Sequence, residues 1–195
     1  MQKFIRKSKI WSGKIIRMLL RTAFRFEQWH TFTLTEREYA KDIIVYCNQK
    51  NVKNVFAEIG CGLGDIIKHA KYRERYGYDV DANVLKAAIF LDRFTLKKKI
   101  RFSVFNFPVS TLPGSYDVIV MVNWIHLIEP AILKSKISEY FNNSLKEEGF
   151  IIIDTVQDQE YKFNHDIQYL SVELGARVSK LGDYERQREI WVLKK

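Results

Sequence analysis

Residues 55 to 65 read Val-Phe-Ala-Glu58-Ile-Gly60-Cys61-Gly62-Leu-Gly64-Asp65, an apolar run that ends in an acid and gives way to glycines at alternate positions. Glycines in such a strand-to-helix loop let the backbone turn sharply and let a ligand approach amides that a Cβ would shield. Three glycines together with Glu58 exceed what a tight turn requires, so the segment reads as a ligand loop. Its spacing is GxGxG, whereas a dinucleotide loop is GxGxxG with a pyrophosphate over the following helix N-terminus. Asp65 at that helix start would repel a pyrophosphate and tolerate a ligand carrying positive charge. Other residue types with chemical potential lie at the ends of later apolar runs: Asp79 in GYDVD, Asn106 in RFSVFNF, Asn123, Trp124 and His126 in VNWIH, and Asp154 in IIID.

Positioning these residues requires an alternation of strands and helices. Strands are expected at Val55 to Ile59, at the run ending in GYDVD, and at about residues 100–105, 118–122 and 150–153. Helices are expected at about residues 65–71, 82–94 and 130–145, the last with Pro130 at its start, where a missing N–H costs nothing. Strands separated by such helices mean βαβ units and a mostly parallel sheet. The tail breaks the rule: Arg177 to Leu181 and Glu189 to Leu193 flank the polar turn GDYERQ and read as an antiparallel edge hairpin. Upstream, residues 9–26 show helical periodicity, and Thr35 with Glu38 has capping-box spacing for a helix through Gln49. The expected organisation is a basic N-terminal helix with its connecting segment over residues 1–33, then an α/β domain over 34–195.

With these motifs in order, the chain resembles the class I S-adenosylmethionine-dependent methyltransferases from about Phe56 to its C-terminus. EIGCGLG resembles the family's acid-x-G-x-G-x-G motif, and GYDVDANVLKAA its second motif, which places Asp79 where the family binds the ribose hydroxyls. A carboxylate suits that task because it accepts both hydroxyl protons in charge-assisted hydrogen bonds. RFSVFNF resembles the third-strand motif, with Asn106 in place of the usual aspartate near the adenine amino group. YDVIVMVNWIHLIEP resembles the fourth-strand motif, and LKEEGFIIID the turn before the fifth strand. The resemblance implies a doubly wound, Rossmann-like, seven-stranded sheet with an antiparallel C-terminal strand, and S-adenosylmethionine as cofactor. It implies cofactor contacts from Glu58, Gly60, Cys61, Gly62, Asp79, Val80, Asn106, Phe107 and Asn123, and a substrate pocket that includes Trp29, Trp124 and Asp154. The segment before the glycine loop and VNWIH are also similar to small methyltransferases of bacterial surface-polysaccharide pathways. That likeness, with the lack of an NPPY or DPPY motif after the fourth strand, points to a hydroxyl on a sugar or other small molecule as acceptor. RNA methylation, or a cofactor-binding assembly subunit without turnover, are the competing readings.

Several residues carry two readings each. His126 is either the base that deprotonates the acceptor, its ordinary pKa lying near working pH, or a packed wall residue. His30, in EQWHTF, is a second candidate base if the N-terminal segment folds over the pocket. Asp154 either binds substrate, orients a histidine or caps a turn; Asp65 either binds the methionyl amino group or favours a helix N-terminus. Tyr161 and Phe163 could stack on a sugar or a base. His69 and His165 read as surface helix residues, and no histidine spacing suits a metal.

The 195 residues suit one domain, and 47% hydrophobic with 28% charged residues is a folded composition. Cys47 and Cys61 have no CxxC partner, which argues for a reducing compartment, the cytoplasm. The net charge of +9 is concentrated: residues 1 to 26 hold eight basic residues and no acidic one, leaving 24 basic against 23 acidic elsewhere. On a helical wheel Lys14, Arg17, Arg21 and Arg25 fall within ~80°, and Trp11, Ile15, Met18, Leu19 and Phe26 gather beside them. The apolar side favours an anionic membrane surface over nucleic acid as partner of this arm, at the inner face of the membrane. The arm is too short and too charged for a signal peptide or a membrane span.

Overall fold

A computed structural model describes residues 2–94, 99–157 and 161–195, with the side chains of residues 2–12 outside the description. Seven strands form one sheet: β1 (Val55–Ile59), β2 (Glu74–Asp79), β3 (Arg101–Val104), β4 (Tyr116–Met121), β5 (Leu145–Val156), β6 (Arg177–Tyr184) and β7 (Arg188–Lys194), in the order β3-β2-β1-β4-β5-β7-β6. β1 to β5 pair in parallel, and β7 runs antiparallel to both β5 and β6. Among the described residues five α-helices accompany them: α1 (Gln2–Phe24), α2 (Glu38–Asn48), α3 (Ala82–Asp92), α4 (Pro130–Glu139) and α5 (Ile167–Leu174). This is the doubly wound, mostly parallel sheet expected from the alternation.

The central strands are buried on both faces, which is why they read as continuous apolar runs. Ile119 and Met121 of β4, with Ile151 and Ile153 of β5, face Leu133 and Ile137 of α4 and Ile167 and Leu170 of α5. The alternate residues Val118, Val120 and Ile152 face Tyr39, Ala40, Ile43 and Cys47 of α2. Leu20 of α1 packs with Phe26, Leu63, Val84 and Ala87, which joins the N-terminal helix to α3 and the glycine loop.

Several local expectations are corrected. Residues 62–69 form successive turns rather than a regular helix. Gly60, Gly62 and Gly64 all have positive φ, and the Glu58 carboxylate accepts the Ile67 N–H at 2.9 Å, drawing the chain back on itself. The capping contact forms two residues earlier than expected: Glu36 accepts from the Thr33 N–H (2.8 Å) and hydroxyl (2.9 Å), closing a short 3₁₀ turn over Leu34–Glu36 before α2 starts. α4 ends at Glu139 and is followed by one π turn, Tyr140–Ser144, and β5 already begins at Leu145 with an irregularity through the KEEG segment. The C-terminal hairpin is not wholly at the edge, because β7 inserts between β5 and β6. His165 is buried just before α5, its Nε2 2.9 Å from the Ile125 carbonyl, and His69 is exposed within the turns.

Candidate active site

The strand order reverses between β1 and β4, and open α/β sheets bind ligands at the carboxyl ends of strands at such a switch point. Here β1 delivers Glu58 and Gly60, β2 delivers Asp79, and β4 leads into Asn123 and Trp124. The amides of Gly60 and Cys61 both donate to the Tyr78 carbonyl, at 2.8 and 2.9 Å, so the glycine loop is fastened to the end of β2.

Asp79 is buried and its two carboxylate oxygens each accept a backbone N–H, from Gly62 at 2.8 Å and from Asp81 at 3.0 Å. Burial nevertheless holds its pKa above the ordinary carboxylate value. It lines a cavity of about 330 Å³ together with Val80, Asp81, Phe105, Phe107, Trp124, Leu127 and Ile128. The walls are predominantly apolar and aromatic, with the acids Asp79, Asp81 and Glu27 among the lining residues. A flat heteroaromatic base between Phe105 and Phe107, with a ribose toward Asp79, matches this distribution of surface. Val80, 66% exposed, is part of this wall. Asn106 does not line the cavity; it is exposed, and its N–H donates to the Ser110 hydroxyl at 3.0 Å. Phe105 and Phe107, in the irregular backbone just after β3, line the cavity, while Asn106 between them faces solvent.

A second, narrower cavity of about 20 Å³ lies on the other side of the glycine loop, bounded by Trp29, His30, Arg37, Tyr39, Glu58, Asp65, Asn123 and Trp124, among others. It has room for about one water molecule. The reason is visible at the glycines. A Cβ at Gly60 would sit 2.4 Å from the Trp124 indole, and one at Gly62 would sit 2.7 Å from the His30 ring. The Trp124 Nε1 donates to the Ile59 carbonyl at 2.7 Å, and His30 stacks on Trp29 with ring centroids 3.5 Å apart. The open faces of the two glycines are therefore covered by rings of this chain. The roomy half of the cleft is thus the apolar, Phe-lined one, and the half beside the glycine faces is filled by those rings.

Charge in the narrow half is unusual. Burial lifts the Glu58 carboxyl to about 8 and lowers the His30 imidazole to about 4, so both are held neutral near pH 7. Asp65 is neutralised by Arg17, at 2.5 and 3.0 Å, with Arg37 at 3.8 Å. Glu58 contacts the loop from behind, through Ile67. Cys61 is buried, its thiol pushed well up by burial and its Sγ 3.7 Å from the Gly62 carbonyl.

The remaining sequence candidates form the wall behind the cleft. Asp154 is buried and ion-paired to Arg188, and it accepts the Asn123 N–H at 2.8 Å. Asn123, with φ 75°, accepts from Arg188 through Oδ1 at 3.0 Å. Both side chains thus hold the turn after β4; Asn123 also borders the narrow cavity, and Asp154 borders neither cavity. His126 is buried, stacked on Tyr161 with centroids 3.8 Å apart, and lines neither cavity. Phe163 donates its N–H to the His126 carbonyl at 3.2 Å. Arg37, Tyr39, Phe105 and Arg188 escaped the sequence reading. Arg188 had a signal only in retrospect, as a cation opening an otherwise apolar strand.

Comparison with known proteins gives fold but no sequence family. No family model matches the chain, and no curated protein matches it. Among solved structures it is similar to the N-methyltransferase NodS from Bradyrhizobium japonicum WM9 in complex with S-adenosylhomocysteine, with TM-score 0.68, 12% identity, and 91% of this chain and 97% of that chain covered. The chain has the class I methyltransferase fold. It is also similar to magnesium protoporphyrin IX methyltransferase from Synechocystis PCC 6803 with bound S-adenosylmethionine (TM-score 0.63, 15% identity, 81% and 79% covered). A third similar structure is a S-adenosylmethionine-dependent methyltransferase from Clostridium acetobutylicum ATCC 824 (TM-score 0.62, 17% identity, 81% and 91% covered).

Proposed function

We propose that this chain is a methyltransferase that binds S-adenosylmethionine and methylates a hydroxyl of a sugar or other small molecule. The observation that carries the reading is Asp79, a buried carboxylate tied to the glycine loop and placed at the side of an apolar, Phe-lined cavity of about 330 Å³. Asp79 would hold the ribose hydroxyls, Phe105, Phe107 and Val80 would enclose the base, and the Gly60 to Gly62 backbone would border the methionyl chain. The cofactor supplies an activated methyl on a sulfonium, so the protein's tasks are alignment and removal of the acceptor proton. The group that takes this proton must line the cleft and be unprotonated at working pH. His30 meets this requirement and lines both cavities, whereas His126 lies under Tyr161. We therefore assign the base to His30.

Support for a glycan acceptor is the likeness of VNWIH and the upstream segment to polysaccharide-pathway enzymes, and the aromatic rings of Trp29 and Trp124 at the cleft. Titration calorimetry with S-adenosylhomocysteine tests the cofactor reading: the wild type binds, and Asp79→Ala loses at least about tenfold in affinity, since a charge-assisted hydrogen bond is worth about 1.5–3 kcal/mol. Undiminished affinity in a folded Asp79→Ala protein would overturn it. With saccharide acceptors, His30→Asn should lower turnover by about 10²-fold or more, and the wild-type rate should fall on an acidic limb near pH 4. Loss in His126→Asn instead would move the role to that residue.

A further inference from the structure

Helix α1 is held to the domain at a fixed rotation. On its inner side Leu20 is 7% exposed and packs on Leu63, Val84 and Ala87, and the Phe24 ring lies 5.9 Å from that of Phe90. Arg17 reaches inward to both carboxylate oxygens of Asp65 and to the Phe32 carbonyl at 2.7 Å, and Lys14 pairs with Glu36 at 2.6 Å. Two cations of the expected stripe are therefore anchors. The same contacts turn the apolar residues away from the core: Ile15 is 50% exposed, Met18 60% and Leu19 65%, with Ile16 at 51% on one margin. Arg21, in α1, and Arg25, just past its end with φ 58°, are exposed and form no ion pair among the described residues.

We propose that this outer face of α1 docks on an anionic lipid surface, with Ile15, Met18 and Leu19 entering the interface and Arg21 and Arg25 meeting the headgroups. Residues 1 to 26 hold no acid, and with Lys14 and Arg17 paired inward the described outer face keeps Arg21 and Arg25 as its cations, so it complements negative charge and not a second copy of itself. Phosphate contacts alone require no apolar strip, whereas an interfacial helix requires both an apolar side and a cationic border. No helix among the described residues is long and apolar enough to cross a membrane, so the contact is one of lying on the surface.

Co-sedimentation of the full chain with vesicles of phosphatidylcholine alone, and with added phosphatidylserine, tests the proposal. Binding should be at least about tenfold stronger to the anionic vesicles and weaken with salt, each cation contributing about a fivefold factor near such a surface. Met18→Glu with Leu19→Glu should reduce it by more than about tenfold, as the loss of one buried leucine side chain from the interface already accounts for that much. Arg21→Glu with Arg25→Glu should also reduce it, and both double variants should melt with the wild type because the four side chains touch solvent. Absent or charge-independent binding overturns the proposal. So does a self-association, seen by sedimentation velocity, that the Met18→Glu, Leu19→Glu variant abolishes without vesicles. Salt-sensitive RNA binding that depends on Arg21 and Arg25 but not on Met18 and Leu19, without vesicle binding, would assign the face to nucleic acid.

Discussion

Replacing Gly60 by alanine probes the junction between β1 and the cleft. The backbone there has φ +76°, and a left-handed conformation costs an L-residue about 1–2 kcal/mol. The new Cβ would lie 2.4 Å from the Trp124 ring, inside any tolerable contact, so the indole must swing away and release the Ile59 carbonyl it holds at 2.7 Å. Losing that hydrogen bond adds about 0.5–1.5 kcal/mol, for a total near 2–3 kcal/mol. For a chain of this size that lowers the melting temperature by about 4–12 °C. Circular dichroism melts of wild type, Gly60→Ala, Trp124→Ala and the double variant form a cycle in which the steric part cancels. The double variant should be more stable than the two single effects add to, by about 1 kcal/mol or more, leaving chiefly the backbone term. A Gly60→Ala protein that melts within a degree of wild type, with zero coupling to Trp124, would refute the account of why glycine stands there.

Two further outcomes follow from the buried charges. His30 has a folded pKa below its ordinary value, so its contribution to stability is complete above about pH 6.5 and is lost as pH falls toward 4, by about 3 kcal/mol at most. Glu58 has a raised pKa, so its contribution is complete below about pH 4.5 and is lost as pH rises toward 8. Melting temperatures across this range should therefore lose their acidic slope in His30→Gln and their alkaline slope in Glu58→Gln, and unchanged slopes would contradict the burial of these groups. Arg188→Met strands the Asp154 carboxylate, which is 1% exposed, and should cost about 3–5 kcal/mol in denaturant unfolding, recovered in large part by adding Asp154→Asn. A double variant as unstable as Arg188→Met alone would show that the pair does not act as a unit.

The parallel strands and the polar residues and glycines at their ends were legible in the sequence because each signal is local. Apolar runs of strand length, glycines at 60, 62 and 64, and an acid closing GYDVD all act within a few residues, and they place Gly60 and Asp79 at neighbouring strand ends once β1 and β2 pair. The loop after Gly62 defeated helical periodicity because the Glu58 carboxylate, nine positions before Ile67, takes the amide of a tighter path. What covers the glycines depends on docking across the chain. Trp124 reaches Ile59 over 65 positions, and His30 reaches Gly62 from the N-terminal segment. That Asp154 and Asn123 are both tied to Arg188 was not legible, because only the pairing of β7 with β5 brings that cation between them. The arm shows the same division: its sequence carries an apolar side and a cationic side, but periodicity is indifferent to rotation about the helix axis. The packing of Leu20 and the pairing of Arg17 with Asp65 select the rotation, and with it which side meets solvent.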